Sequence, residues 1–524
     1  MRSLQAFFVL STVSLIGIFC CNRTKQLANP IHAKIIIKTD VAAKAYNPMI
    51  FGGFVEHFGR QIYGGIFEPG SPLADKKGFR LDVIAALKEL NVPVIRWPGG
   101  CFVDAYHWQK GVGAQRETYG DFRWGVIESN TFGTDEFVEL CRRIGAEPYI
   151  CHNGLADVQE NLDWVDYCNA AEGKFAEMRK ENGHPEPFNV KYWSVGNERY
   201  DTSYVNRVRN TAKVMKALHP EIQITCSGSQ GNQGKKMPGV QSYLMETAGE
   251  YLDYVSVHNY WLPRGNDLPR YDYLTAIAQS ENPEKYMQIV SKSLSDQNMG
   301  RLKIAFDEWN LRAWQHPGFP RNDVDDYDDP EILNLVQKRI EGNDLNRQYT
   351  MADALFAASF FNACLRNSEN VTMANIAPLV NTRGPLYVHP EGIVKRTHFH
   401  TMAMYANDLE EKVASAEVNA DHLIIDEGSV AVLDAIATVD KTGKKWAISL
   451  VNRHPTESLA CTVIMRDKPL DGIYKATVLT GDSPDAYNDV EHPYSVMPIE
   501  MEVSFRNGAA SLPPHSLIIV HIQE

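Results

Sequence analysis

The feature that most limits how this chain can fold is an alternation that runs from residue 49 to residue 377. A short apolar run is followed by a stretch with helical periodicity, and eight such runs occur in order. They are MIFGGFVEH (49–57), VPVIRWP (92–98), EPYICHN (147–153), VKYWSVGNE (190–198), IQITCSG (222–228), YVSVHNYW (254–261), KIAFDEWN (303–310) and VTMANIA (371–377). The intervening spacing predicts helices near 79–90, 134–144, 157–171, 204–218, 239–250, 271–294 and 350–366. Runs of this length separated by helices suit the α/β class, and eight of them suit a closed (β/α)8 TIM barrel better than an open doubly wound sheet. No glycine-rich dinucleotide or P-loop fingerprint follows the first run, so a nucleotide-binding sheet is disfavoured.

After about residue 407 helical periodicity fades. Short alternating runs take over, among them VAVLDAIATVD, KKWAISLVNR, YKATVLT and SLIIVHI, separated by turn-rich pieces such as DKTGK. That pattern predicts a C-terminal antiparallel β-sandwich. The isolated run HAKIIIKTD (32–40) precedes the first barrel strand and would otherwise stay unpaired, so it is expected to join the sandwich. The expected organisation is therefore a leader over 1–21, an N-terminal strand region over 32–48, a barrel over 49–407 and a β-sandwich over 408–524. In the leader, Arg2 precedes an apolar stretch from Ala6 to Phe19 that ends at Cys20-Cys21. It reads as an export signal, with a periplasmic or cell-surface bacterial protein as the expectation. The paired cysteines leave membrane anchoring through a lipid open, although Gly17-Ile18-Phe19 fits a lipoprotein signal poorly.

Composition excludes some functions. A formal charge of −13 without basic clusters disfavours nucleic acid as a partner. The seven cysteines beyond the leader include no CxxC pair, so no zinc site is expected, and neither a metal nor another cofactor is required. The acidic stretch NDVDDYDDPE (322–331) lacks the spacing of a calcium loop and reads as a solvated rim. The chain's 23 tyrosines and 9 tryptophans suit stacking on sugar rings, but aromatic residues are also ordinary core.

Three of the predicted strands deliver a polar cluster at their last residues. The fourth ends on Asn197-Glu198, the sixth carries His258 and Tyr260, and the seventh sets Glu308 between Asp307 and Trp309. A carboxylate at the end of a buried strand carries a desolvation cost unless something pairs with it or uses it. Two of them facing one another at the C-terminal end of a barrel suit acid/base or nucleophilic work on a bond held between them. Asp307, next to Glu308 along a strand, is expected to point the other way and to be structural or to support the site from behind.

These residues also carry a resemblance. FVEHFGRQIYGGIFEPGSP, VIRWPGGCFVDAYHWQKGVG, NLDWVDYCN, YWSVGNE, VSVHNYW and FDEWN occur in the order found in glycoside hydrolase family 51, which the chain resembles from about residue 33 to its C-terminus. The resemblance implies a barrel with a jelly-roll-like sandwich. It also implies retaining, exo-acting removal of terminal α-L-arabinofuranosyl units from arabinose-containing glycans of plant polysaccharides. Glu198 is then the general acid and base, and Glu308 the nucleophile. Asn197 is expected on the sugar 2-hydroxyl, and Glu56 on another sugar hydroxyl. Arg96 and Tyr260 are expected to hold Glu308 charged and oriented. His258 either lines the pocket or supports it, Asn375 lies roughly where the family places an amide on the sugar, and His57 reads as structural. Two departures stand out. Cys101 follows WPGG where many members have asparagine, and the aromatic residue expected after DEWN is displaced towards Trp314. The resemblance leaves a homo-oligomer open. An endo-acting β-glucanase or xylanase on the same barrel is the alternative among hydrolases, and a non-catalytic glycan-binding protein is the alternative from another class.

Overall fold

Strand-forming runs such as Val94–Trp97 and Tyr192–Val195 are buried at every position, which is the signature of strands covered on both faces. The computed structural model describes residues 31–523 apart from 121–122, 125–126, 231–238, 263–271, 427, and 314–348 other than 334 and 338. The leader, Trp314 and the acidic stretch 322–331 lie outside the described residues.

Eight parallel strands close into a barrel in chain order. They are Gly52–Phe54, Val94–Trp97, Glu147–His152, Tyr192–Val195, Gln223–Gln230, Tyr254–Leu262, Lys303–Arg312 and Val371–Ile376, called here the first to eighth strands. The floor of the barrel is filled by Val94, Tyr149, Tyr192, Tyr254, Ala305 and Met373, so the interior is a packed core and not a pore. Outer helices cover the barrel with their apolar stripes. The helix Thr134–Ile144, for example, buries Phe137, Val138, Leu140, Cys141 and Ile144 and ends on left-handed Gly145.

Two predicted elements differ from the structure. The first run does not form a strand over its full length: Pro48–Phe51 is a 3-10 turn, and only Gly52–Phe54 pairs in the barrel. Pro48 fixes φ, and the Asn47 side chain accepts a hydrogen bond from the Met49 amide, so a turn starts there instead. The stretch near 271–294 is two helices, Tyr273–Ile277 and Asn282–Asp296. Pro283 lies in the first turn of the second, a position that suits a helix start and not a helix interior.

Most of the C-terminal strands and the N-terminal strand Ile31–Lys38 lie in one eleven-stranded sheet, while His422–Ile425 and Gly428–Ala431 pair as a separate hairpin. The strand Lys412–Ala420 bridges its two parts, pairing with Leu433–Val439 through its first residues and with Ile31–Lys38 through the rest. Ile35 and Ile37 from one part and Ile448, Leu450 and Val520 from the other share one apolar core, which gives the sandwich. The sandwich is not wholly antiparallel. Ile31–Lys38 runs parallel to Leu459–Met465, because a strand entering from the other end of the chain is not bound by hairpin connectivity. Barrel and sheet meet at an ion cluster in which buried Asp434 lies 2.8 Å from the partly exposed Arg366 and 2.9 Å from the buried Arg453.

Candidate active site

At the C-terminal ends of the strands, side chains of the second and sixth converge on Glu308 of the seventh. Arg96 from the second strand places Nη1 2.7 Å from Glu308 Oε1, and the Tyr260 hydroxyl from the sixth donates to Oε2 at 3.0 Å. The second fork nitrogen of Arg96 donates to Asn197 Oδ1 at 2.7 Å, tying the fourth strand to the seventh. The guanidinium lies 5.2 Å over the Phe54 ring of the first strand. Arg96 is wholly buried, and Glu308 nearly so. Burial pushes the Glu308 carboxyl above the usual carboxylate range, and the charges of His258 and Arg96 oppose that rise.

Asp307 does not point away. Its Oδ2 lies 3.3 Å from Arg96 Nε as an ion-pair contact, and the same carboxylate accepts hydrogen bonds from Tyr149 Oη at 2.8 Å and Ser256 Oγ at 2.6 Å. The reason is a β-bulge. Phe306 and Trp309 of the seventh strand pair with Ala374 and Ile376, and Ala305 and Glu308 pair with Ser256 and His258. The seventh strand thus carries one extra residue against both neighbours, which breaks strict alternation and lets adjacent Asp307 and Glu308 both face the barrel axis.

Glu198 sits where the fourth strand ends. Gly196 has φ +74° and Glu198 itself φ +44°, a conformation that costs energy for a residue with a side chain. An added Cβ at Gly196 would lie 2.8 Å from Tyr204, so the turn needs glycine twice over. Three residues later Asp201 caps the helix Thr202–Leu218 through the Tyr204 amide, which pins the turn from the other side. Glu198 is the more accessible of the two glutamates, with its side chain 21% exposed against 3% for Glu308. His258 stands between them, with Nδ1 2.9 Å from Glu198 Oε1 and 3.6 Å from Glu308 Oε2. Burial would lower the His258 imidazole, but Glu308, Asp307 and Glu198 outweigh it and raise it to about 10, so it is protonated at neutral pH.

The pocket wall comes from the first two strands and their loops. Glu56 is wholly buried; its Oε1 accepts from the Phe102 amide at 2.9 Å and Trp124 Nε1 at 2.8 Å. Its Oε2 has no hydrogen-bond partner among the described residues, and burial followed by the nearby Glu308 charge pushes the carboxyl up to about 8. The WPGG glycines allow this approach, because a Cβ on Gly100 would lie 2.7 Å from Glu56 Oε2. Cys101 is half-buried beside Asn197, with Nδ2 of the amide 3.9 Å from its sulfur. Burial, then Glu198, Glu56 and Glu308, hold its thiol well above the ordinary value. It is therefore a neutral thiol and a poor nucleophile. His57 is structural: Nδ1 lies 2.7 Å from Glu128, Nε2 accepts from Trp97 Nε1 at 3.0 Å, and the ring stacks on Phe102.

Asn375 donates through Nδ2 to the Gly53 carbonyl at 2.8 Å, which holds the seam between the eighth and first strands, and its buried Oδ1 has no hydrogen-bond partner among the described residues. Among the described residues, one set of acidic and imidazole groups converges enough to hold a metal ion, and it is Glu198, His258 and Glu308 themselves. The set fits a cation poorly, because the imidazole already carries a proton and the Arg96 charge adjoins Glu308.

Comparison with known proteins bears on what this geometry serves. Residues 86–276 match the alpha-L-arabinofuranosidase 1 domain, and residues 307–516 match the alpha-L-arabinofuranosidase C-terminal domain. Alpha-L-arabinofuranosidase C of Emericella nidulans is 33% identical over 93% of this chain and 96% of its own length. An α-L-arabinofuranosidase from Thermotoga maritima, solved with arabinose, superposes with a TM-score of 0.80 at 30% identity, covering 94% of this chain and all of that one. The chain belongs to the α-L-arabinofuranosidases of glycoside hydrolase family 51. A family 51 enzyme from Bifidobacterium longum gives a TM-score of 0.82 at 28% identity, over 94% of this chain and all of that one. As an exo-acting arabinofuranosidase the molecule hydrolyses a terminal furanosidic bond, a reaction that needs a proton for the leaving oxygen and electron density at the anomeric carbon.

For this arabinofuranosidase, sequence reasoning singled out Glu198, Glu308, Arg96, Asn197, His258 and Tyr260, and the structure brings all six into one bonded cluster. It missed Tyr149, Ser256 and Trp124. Tyr149 and Ser256 lie inside apolar strands and look like core. Trp124 sits in a loop whose sequence carries no signal of its bond to Glu56.

Proposed function

We propose that Glu308 is the nucleophile and Glu198 the general acid and base of a double displacement that releases terminal α-L-arabinofuranosyl units. The observation that carries this reading is the pairing itself: a carboxylate oxygen from each glutamate and a His258 ring nitrogen all lie within 4.8 Å of one another. A retaining pair stands about 5–5.5 Å apart and an inverting pair about 6.5–9.5 Å, so a gap of this size supports the retaining arrangement. Glu308 has the donors that orient an anion, and Glu198 has the access to solvent that a proton-cycling group needs.

In the first step Glu198 gives its proton to the glycosidic oxygen as a Glu308 oxygen bonds to the anomeric carbon. The aglycone leaves, and a covalent arabinosyl ester remains on Glu308. In the second step Glu198, now ionised, takes a proton from water whose oxygen attacks the same carbon, and Glu308 leaves as carboxylate. Tyr260 and Arg96 keep their bonds to Glu308 oxygens throughout and stabilise the charge it regains. Glu56, with its unbonded Oε2, supplies an acceptor or donor to a sugar hydroxyl. We read Cys101 as a pocket residue that touches the sugar by packing, since a thiol is a weak hydrogen-bond donor.

Natural substrates on this reading are arabinose-containing glycans of plant origin. We also take residues 49–407 as the catalytic body and 408–524, with 32–48, as the sandwich. Support comes from the helix Thr397–Asp408, which ends just before the sheet strand starting at Lys412. The apolar composition of residues 6–19 supports export, which N-terminal sequencing of the mature protein would check.

A panel of para-nitrophenyl furanosides and pyranosides tests the assignment. The expected result is turnover of the α-L-arabinofuranoside, unaffected by a chelator, with xylosides and glucosides far slower. Preference for a β-glucoside or β-xyloside, or activity that a chelator removes and a divalent ion restores, would overturn it. Cys101→Ala should keep turnover, with a loss of about 1 kcal/mol or less in transition-state binding from kcat/KM, the scale of one modest contact. A loss as deep as that of Glu308→Ala in a folded Cys101→Ala protein would show that the two-glutamate account is incomplete.

A further inference from the structure

Beneath the reacting pair a third carboxylate is built into the barrel axis by the bulge, and neither step described above uses it. Asp307 is wholly buried and touches Arg96 Nε at 3.3 Å, Tyr149 Oη at 2.8 Å, Ser256 Oγ at 2.6 Å and His258 Nε2 at 3.3 Å. Ser256 Oγ also lies 2.9 Å from His258 Nε2. The groups form one line across three strands. It runs from Asp307 through the Ser256 hydroxyl and the His258 imidazole to Glu198, with Nδ1 of the same ring turned towards both glutamates.

We propose that Asp307, with Ser256 as its link, is a positioning residue that keeps His258 as an imidazolium wedged between Glu198 and Glu308. This rests on the roles given above to the two glutamates. Asp307 touches neither sugar nor reacting atoms and acts through the ring. An imidazole that accepts nothing and donates at both nitrogens needs an acceptor at each end. Glu198 supplies one, and the Ser256–Asp307 pair supplies the other. The positive ring then favours the ionised form of Glu308, the form that attacks. The charged and titratable groups facing the ring are Glu198 from the fourth strand and Asp307 and Glu308 from the seventh. Those facing Asp307 are Arg96 from the second strand, Tyr149 and Cys151 from the third and Cys226 from the fifth.

The sign follows. With Asp307→Asn the ring loses its distal anion, so the imidazolium gives up its proton at lower pH. The titration of the His258 ring, followed by NMR of enzyme carrying isotope-labelled histidine, should therefore move down by at least about one pH unit. Maximal kcat should fall about ten- to hundred-fold. The KM for the para-nitrophenyl arabinofuranoside and the inhibition constant of free arabinose should stay within about two-fold, because no contact to the sugar is removed. Ser256→Ala, which leaves Arg96 and Tyr149 in place, should shift the same titration in the same direction by less.

The test is the His258 titration of both variants by NMR, with kcat and KM measured alongside and folding checked by thermal melts. A titration that stays put in a folded Asp307→Asn enzyme, with only its melting temperature lowered, would overturn the proposal and leave Asp307 a structural residue. If Asp307→Asn does not fold, Ser256→Ala decides alone: a downward shift supports the link and an unmoved titration refutes it. Failure of the glutamate roles would show separately, in azide rescue of the Glu198 and Glu308 variants.

Discussion

Glu308→Ala is expected to lose turnover on every substrate, by at least about 10⁴-fold, because no other described side chain is placed to form the glycosyl ester. Glu198→Ala should behave differently, and the difference is diagnostic. An activated aryl leaving group needs little protonation, so on para-nitrophenyl arabinofuranoside the first step survives and hydrolysis of the ester becomes slow. On an arabino-oligosaccharide, whose leaving alcohol needs a proton, the loss should approach the full value of acid catalysis, about 10²–10⁴-fold. Azide, which requires no general base, should then speed the Glu198 variant and give arabinosyl azide of retained α configuration. With Glu308→Ala any azide product must form by direct displacement and carry the inverted configuration. If the Glu198 variant yields the inverted azide, the two roles are exchanged.

The second large effect is expected at Arg96. Arg96→Met keeps most of the side-chain volume but removes the cation that Asp307 and Glu308 share. Two buried carboxylates are then left facing one another, and removing one partner of a buried ion pair costs about 3–5 kcal/mol. Catalysis should fall by at least about a hundred-fold as well, because Glu308 loses a donor and Asn197 loses its anchor. The stability difference should depend on pH in a set direction. Burial alone would raise Asp307, but Arg96 and then His258 overcome it and hold its carboxyl down at about 2. A folded-state value below the unfolded one, about 3.9, gives stability that is present above the unfolded value and is lost as pH falls towards 2. The gap in melting temperature between the wild type and Arg96→Met should therefore be widest near neutrality and narrow as the pH is lowered below about 5. A gap that stays constant down to pH 3 would mean that Arg96 serves packing and not charge.

Much of this was legible in the sequence for a physical reason. Eight buried strands in a closed barrel must be short, continuous and apolar, so polar residues at their C-terminal ends stand out against that background. Asn197-Glu198, His258, Tyr260 and Glu308 are visible in this way, and Arg96 is visible as the one charged residue in the VIRWP run. Asp307 was misplaced because alternation along a strand is a local rule, whereas a bulge is fixed by the register of two neighbouring strands. The bond of the Asn375 amide to the Gly53 carbonyl is hidden in the sequence, because barrel closure joins segments that are far apart in the chain. The parallel pairing of Ile31–Lys38 with Leu459–Met465 is hidden for the same reason, since nothing within either run records which neighbour it will meet.

The central claim is that a covalent arabinosyl ester forms on Glu308 and that Glu198 governs its removal. Mixing the Glu198→Ala protein with para-nitrophenyl α-L-arabinofuranoside, quenching in acid and mapping peptides by mass tests it most directly. The account predicts that the protein gains one pentosyl residue, carried by the peptide that contains Glu308, and that azide added before the quench removes it. An adduct on any other residue would contradict it, as would no adduct from a variant that still releases nitrophenol in a burst.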